Sequence, residues 1–447
     1  MPDPEVPLVS IVIPTHNRRA RLLSTLEALR RQSFAGSRME CVIVADGCRD
    51  DTVAAVAAFE SAFPIRLVEL PGRGPAIARN EGAAVARAPL LVFLDDDVEP
   101  VPELVATHSD AHDGGESRVA IGPYPPVPHA SPDPFRLEAR SWWQAHFAEL
   151  ARDGHRTSFR DLLTGNFSMP AKLWHELGGL DPTFERARED WELGVRLIAH
   201  GTPIVYLPGA QGWHYEHETA TLEAGYARAR EEGCSDVRMA RKHPAMRQEL
   251  PIVELHAAGG FTKRLAWMAF DAPWLGAVFA KLVLSLLQSC RRRRLRGPFR
   301  KLHGALRQYW YLVGAAGELK DRRNWAVLAN RDEHQQPVTL TVDLAKGIEA
   351  AEQRIAESRP EAVQVEHAGR QVTIMPWRPG SERWDARHLR PFLASEACVE
   401  YSRVLRISNA EQGEQARDLA AYGYVSARGF HMSLLEAMGQ WWHVQRR

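Results

Sequence analysis

The chain has little that would mark it for a special environment. Its five cysteines (Cys41, Cys48, Cys234, Cys290 and Cys398) are scattered through 447 residues, without the paired spacing of a zinc site or the density of a disulfide framework. A reducing cytoplasm is the expected compartment, and the first residues, MPDPEVPLVS, have neither the basic nor the apolar region of a signal peptide. Net charge is missing too: 56 basic and 56 acidic residues cancel, which removes any general reason to expect nucleic acid as a partner. Long apolar runs are also scarce. The most apolar stretch, Trp267 to Cys290, is interrupted by Asp271, Pro273 and Lys281, so the expectation is that it does not reach the roughly 18 apolar residues of a bilayer span. A chain of this length is expected to form two or three domains, each with its own core.

What is present begins with LVFLDDDVEP, residues 90 to 99. Leu90 to Leu94 read as a buried strand that stops at Asp95, Asp96 and Asp97, the end at which open α/β sheets place their ligand crevice. Carboxylates so close together repel unless a cation sits among them, and oxygen ligands suit Mg²⁺ or Mn²⁺. The competing reading is a solvated acidic turn or a helix cap. Upstream, Leu8 to Pro14 is an apolar strand followed by a helix over Arg18 to Arg31. Cys41 to Gly47 is a second strand, with a helix expected from Asp50 through the Ala- and Val-rich run to Phe63. Ile65 to Leu70 is a third, and a helix begins near Pro75 after Gly72 and Gly74. Such alternation implies a mainly parallel sheet.

PTHNR after one strand, ADG after the next, then GRGPAIARN and FLDDD, in this order, resemble the family 2 glycosyltransferases, which have the GT-A fold. The resemblance covers about residues 8–220. It implies that Pro14, Thr15, Asn17 and Asp46 hold the base of a nucleoside-diphosphate sugar of the UDP or dTDP type, where a carboxylate suits the imide N–H of uracil or thymine. The family usually has two acidic residues where this chain has Ala45-Asp46, so Asp46 alone retains the acceptor. Arg79, next to Asn80, is placed on the donor and its acidic motif, and as a plain ion-pair partner its alternative is a structural aspartate. Asp97 is placed on the metal, and Asp95 or Asp96 near the ribose or a metal-bound water.

The next signature is LLTGNFSMPAKLWHELGGLDPTF, followed by EDWELGVRLIAHG. By resemblance, Thr164-Gly165-Asn166 shapes the sugar pocket, with Asn166 on the acceptor side together with Glu189, Trp191 and Glu192, and Asp190 is the general base. An acidic first turn also suits the dipole of any helix. His214, beyond a strand over Pro203 to Leu207, is the further candidate for the metal or diphosphate, with a packing role as its alternative. The aromatic stretch FRLEARSWWQAHFAEL is read as packing on the sheet.

Residues 221–332 read as helices, and RRRRLRGPFRK concentrates basic residues between Arg291 and Lys301. These suit anionic headgroups or an acceptor's phosphates, and family members often act on lipid-linked acceptors. From about residue 333, three alternating segments (VTLTVDL, AVQVEH, RQVTIMPW), the latter two a hairpin through Ala368-Gly369, and helices over Lys346 to Ser358 and Glu411 to Ala421 suggest a small α/β domain of unassigned role. The resulting expectation has a GT-A sheet over 1–220, a helical extension over 221–332 and an accessory domain over 333–447. Its activity would be inverting, metal-dependent transfer of a single sugar to a hydroxyl. The alternatives are a sugar-nucleotide nucleotidyltransferase and a non-catalytic sugar-nucleotide-binding partner. A processive synthase is disfavoured, since no QxxRW motif is present.

Overall fold

A computed structural model describes residues 6–115, 117–128, 133–216, 220–330 and 337–412. The chain divides into two compact units, Met1–Gln336 with Arg378–Glu382, and Pro337–Trp377 with Arg383–Arg447. In the first unit, β1 (Val9–Thr15), β2 (Met39–Asp46), β3 (Ile65–Leu70) and β4 (Leu90–Leu94) alternate with α1 (Arg19–Arg30), α2 (Thr52–Ala57) and α3 (Pro75–Val85). Parallel pairing follows from these crossovers. Nearly every residue of β1, β2 and β4 is buried, because helices cover both faces of such a sheet. The Ala- and Val-rich helix is shorter than expected and stops at Ala57 rather than Phe63. Phe63 N–H instead closes a turn on Ser61 Oγ at 3.1 Å, and Pro64 starts the run into β3.

After β4 come β5 (Val98–Pro100), α4 (Leu104–Asp110), β6 (Val119–Ile121), α5 (Pro134–Leu150), β7 (Asn166–Pro170), α6 (Ala171–Leu177), α7 (Glu189–His200), β8 (Ile204–Tyr206) and β9 (Gly212–His214). The main sheet has the order β3-β2-β1-β4-β7-β6-β8, with β7 antiparallel to β4 and β6. It is thus the expected mixed α/β sheet of GT-A type, and β5 pairs separately with β9. The pairing of Val98 with His214 brings the aspartate cluster and His214 together across more than a hundred residues.

The helices α8 (Leu222–Lys242), α9 (Pro251–Ala257), α10 (Gly260–Phe270), α11 (Pro273–Arg292), α12 (Arg296–Leu319) and α13 (Arg322–Ala329) share this unit. Gly233 and Gly314 let α8 and α12 touch: a Cβ on Gly314 would lie 1.8 Å from Arg230 O and one on Gly233 2.0 Å from Tyr311 O. The apolar stretch is interrupted as expected, by Asp271 and Pro273 at the start of α11 and by Lys281 within it, yet by length and composition alone it is long and apolar enough to cross a membrane. From Pro273 onward Lys281 is the one charge before the terminal arginines, and α11 has the length and composition of a span, with only 28% of its most apolar window buried.

The second unit has a three-stranded sheet, β10 (Thr339–Asp343), β11 (Ala362–His367) and β12 (Arg370–Met375), in that order. β11 and β12 form the expected hairpin through Ala368 and Gly369, both at positive φ. Helices α14 (Ile348–Ser358), α15 (Ala386–Ser395) and α16 (Cys398–Gln412) accompany it. The helix expected over Glu411 to Ala421 lies, from 413 onward, outside the described residues.

Candidate functional site

Residues at the C-terminal ends of β1, β2 and β4 converge, as the topology of a parallel sheet requires. At the end of β4, Asp96 and Asp97 are buried. Thr15 Oγ1 donates to Asp96 Oδ2 at 2.7 Å, and Arg18 Nη1 donates to Asp96 Oδ1 at 2.9 Å and Asp97 Oδ2 at 2.7 Å. Burial raises Asp96 to a pKa of about 6 despite Arg18. For Asp97, burial is outweighed by His214 and Arg18, which hold its pKa below the usual carboxylate range. His214 Nε2 lies 3.5 Å from Asp97 Oδ1, and its buried Nδ1 has no hydrogen-bond partner. Tyr124 and Trp143 meet its ring edge-on at 5.5 and 5.3 Å.

Asp95 takes the other direction. Arg79 Nη2 donates to its Oδ1 at 2.6 Å, while Arg79 Nη1 lies 4.0 Å from Glu189 Oε1. Arg79 is buried, and its Nε and Nη1 have no hydrogen-bond acceptor. A Cβ on Gly165 would fall 2.9 Å from Asp95 Oδ2 and 2.7 Å from the Tyr124 ring, so the turn before β7 has room only for glycine there. Asn80 ties α3 to the GGLD turn: its amide donates to Leu180 O at 2.7 Å and its Oδ1 accepts from Leu180 N–H at 2.9 Å. Gly178 and Gly179 make that turn at positive φ.

The turn delivers Glu189 and Asp190 to the first turn of α7. Burial, and then Asp190, push Glu189 up to about 7. Burial also raises Asp190, against Arg228 and the Trp191 N–H that donates to its Oδ1 at 2.8 Å. The residue before the helix, Arg188, has φ +71°. Its Nε donates to Asp236 Oδ1 at 2.8 Å, Tyr311 Oη donates to Asp236 Oδ2 at 2.5 Å, and the guanidinium sits 3.6 Å from the centre of the Trp191 ring. Side chains of α8 and α12 thus fix a strained backbone position beside Asp190.

The family comparison bears on this arrangement directly. Residues 10–173 match the model of glycosyl transferase family 2. This part of the chain is similar to the family 2 glycosyltransferases. Over 276 residues the chain is 35% identical to a validoxylamine A glucosyltransferase of Streptomyces hygroscopicus subsp. limoneus, covering 55% of this chain and 59% of that protein. It is 25% identical over 225 residues to a probable glycosyltransferase, YdaM, of Bacillus subtilis, covering 48% and 52%. The chain therefore spans between half and two thirds of these relatives. The solved mannosyltransferase PcManGT from Pyrobaculum calidifontis, in complex with GDP-Man and Mn²⁺, aligns at 18% identity and a TM-score of 0.46 over 71% of this chain and 89% of that one.

Two sets of contacts result: Thr15, Arg18, Asp96, Asp97 and His214 form one, and Asp95, Arg79 and Glu189 the other, with Asp190 next to Glu189 in the first turn of α7. Other expected site residues are occupied elsewhere. Asp46 accepts from the N–H groups of Gly72, Arg73 and Gly74 at 3.0, 2.7 and 2.7 Å, so it anchors the glycine-rich loop. Asn17, at φ +53°, accepts from Arg49 N–H at 2.7 Å and joins two loops. Pro14 lies beside Val44 in the sheet.

Asn166, expected on the acceptor side, is fully buried, with its amide on Ala210 O at 2.7 Å and its Oδ1 3.0 Å from His108 Nε2. It is a tie inside the sheet, as the first residue of β7. Glu192 is likewise buried, between Arg196 and Lys242 at 2.6 and 2.7 Å and His243 at 3.0 Å. Trp191 packs edge-on against Phe159 and under Arg188. α5 is mixed: Phe135, Phe147 and Leu150 pack inward, Trp143 reaches His214, and Trp142 is exposed. Arg18, Arg188 and Arg228 were missed by the sequence reading. Only Arg18, inside PTHNR, had a local signal.

Proposed function

We propose that the first unit transfers a single sugar from a nucleoside-diphosphate sugar, of the UDP or dTDP type, to an acceptor hydroxyl with inversion at the anomeric carbon. The observation that carries this reading is Arg79, which lies between Asp95 of the β4 cluster and Glu189 of α7, bridging a nucleotide-side and an acceptor-side acidic group. Its two nitrogens without an acceptor, Nε and Nη1, suit diphosphate oxygens.

A divalent cation fits the residues present. Asp97 and His214 are the right donor types, and the histidine turns Nε2 toward the carboxylate, 3.5 Å from Asp97 Oδ1. Among the described residues no three His, Cys, Asp or Glu side chains are grouped as a metal site, so Asp97 and His214 would share the ion with the donor's diphosphate. When bound, such a cation supplies positive charge against the leaving group. Arg18 and Arg79 add fixed charge on the same side. Asp190 accepts the acceptor hydroxyl's proton as that oxygen bonds to the anomeric carbon. The carbon–oxygen bond to the diphosphate breaks, and its electron pair leaves with the diphosphate. Asp190 suits this role because burial raises its proton affinity while its one hydrogen bond, to Trp191 N–H, leaves an oxygen free to face a substrate.

The test is an assay of slow donor hydrolysis and transfer with UDP-, dTDP- and GDP-sugars, with and without chelator. Turnover of UDP- or dTDP-sugars, and not of GDP-sugars, that chelator abolishes is expected. Full turnover in chelator, or no turnover of any nucleotide sugar, would remove this reading.

A further inference from the structure

The inner face of α11 is fully accounted for. Gly276, Ala280, Val283 and Leu287 recur at helical spacing and are buried, and a Cβ on Gly276 would lie 2.2 Å from Tyr309 Oη on α12. The outer face has no partner among the described residues. Trp274, Val278, Leu282 and Leu286, each four residues from the last, are 69, 49, 63 and 54% exposed, and the neighbouring α10 adds exposed Phe261 and Trp267. A water-facing helix surface is normally polar, and a run of large apolar side chains marks something that covers it.

Charge indicates what that is. Residues 260–301 hold ten Lys or Arg and one acidic residue, Asp271, which is paired with Arg322 at 2.7 Å. Arg291 is paired with Asp133. Arg292, Arg293, Arg294, Arg296, Arg300 and Lys301 are exposed just beyond the stripe. A second copy of the chain docked through the same face would bring two such positive patches together. A spanning α11 would have to leave α12 and bury Lys281 in hydrocarbon.

We infer that α10 and α11 dock the protein on an anionic membrane surface. The Trp274–Leu286 stripe lies in the headgroup and acyl boundary, and the arginines after α11 contact anionic lipid. Both parts are the expected chemistry of an in-plane amphipathic helix. The inference does not rest on the transfer reaction.

The experiment is co-sedimentation of the full chain with phosphatidylcholine vesicles, and with vesicles that also contain phosphatidylglycerol, at low and raised salt. Binding is expected only with phosphatidylglycerol and is released by salt, because the attraction decays over about 8 Å at physiological ionic strength. Two variants separate the parts: Leu282→Glu with Leu286→Glu, and Arg292→Gln with Arg293→Gln and Arg294→Gln. Each should lower the partition constant by roughly tenfold or more, with far-ultraviolet dichroism and thermal unfolding unchanged. Outcomes that overturn the inference are absence of binding, equal binding to neutral vesicles, or folded variants that bind like the parent. Retention through salt and carbonate extraction would mark a spanning helix instead. A mass that falls when the glutamates are introduced, without vesicles, would mark self-association.

Discussion

Two acidic groups meet at Arg79 from different sides, and they are held in different ways. At the end of β4, Asp96 and Asp97 are closed in by Thr15, Arg18 and His214, and Asp95 by Arg79. At the start of α7, Asp190 keeps one hydrogen bond, from a neighbouring N–H, and Glu189 has Arg79 no nearer than 4.0 Å. Asp97 is held below the usual carboxylate range by His214 and Arg18, whereas burial outweighs the partners of Asp96, Glu189 and Asp190 and raises all three. Glu192, three residues from Glu189, shows that the helix itself does not decide this. Arg196, Lys242 and His243 offset its burial and bring it down to about 2.

If that division is real, the largest effect should come from Asp190→Asn. A general base contributes about 10²–10⁴-fold, so steady-state transfer should fall by that order while the side chain's shape is kept. A capping residue would tolerate asparagine with near-normal turnover. Asp97→Ala should instead weaken donor-plus-metal binding by about tenfold or more, since a charge-assisted contact is worth roughly 1.5–3 kcal/mol. Unchanged affinity by calorimetry would contradict its assignment.

Glu192→Ala sharpens the contrast from the structural side. It removes the acceptor shared by Arg196, Lys242 and His243, of which Arg196 keeps Leu177 O and Gly179 O and Lys242 keeps Asp181, and about 1–3 kcal/mol of stability should be lost, reduced by the partial exposure of the arginine and lysine. Chemical denaturation would measure it, with donor affinity in the folded variant unchanged. The smallest effect is in pH dependence. Glu189 rises from 4.5 to about 7 on folding, so the folded state binds the extra proton and its stability declines as pH rises through that window. Glu189→Gln should flatten that decline. Glu192 has the opposite sign: its contribution is present above about 4.5 and is lost as pH falls toward about 2. Denaturation midpoints from pH 4 to 8 that keep the same slope in Glu189→Gln would refute the Glu189 part.

Much of this was legible in the sequence because it is local. The strand at Ile65–Leu70, the aspartate strand at Leu90–Leu94, the start of α3 at Pro75 and the start of α7 at Glu189 follow from apolar runs and breakers. The contacts that give each acid its character are not local. Nothing around Asp46 signals three loop N–H groups 26 to 28 residues away. Asn166 reads as a pocket residue until Ala210 and His108 are placed against it. The Arg188–Asp236–Tyr311 chain joins three separate elements beside the proposed base, and motif spacing has no access to it.

The central claim is that the site separates ligand holding from proton acceptance, and isothermal titration of one nucleotide sugar with Mn²⁺ into Asp97→Ala and Asp190→Asn, side by side with the parent, tests it most directly. The account predicts that affinity falls about tenfold or more in Asp97→Ala and is nearly unchanged in Asp190→Asn. Equal loss in both variants, or loss confined to Asp190→Asn, would contradict it.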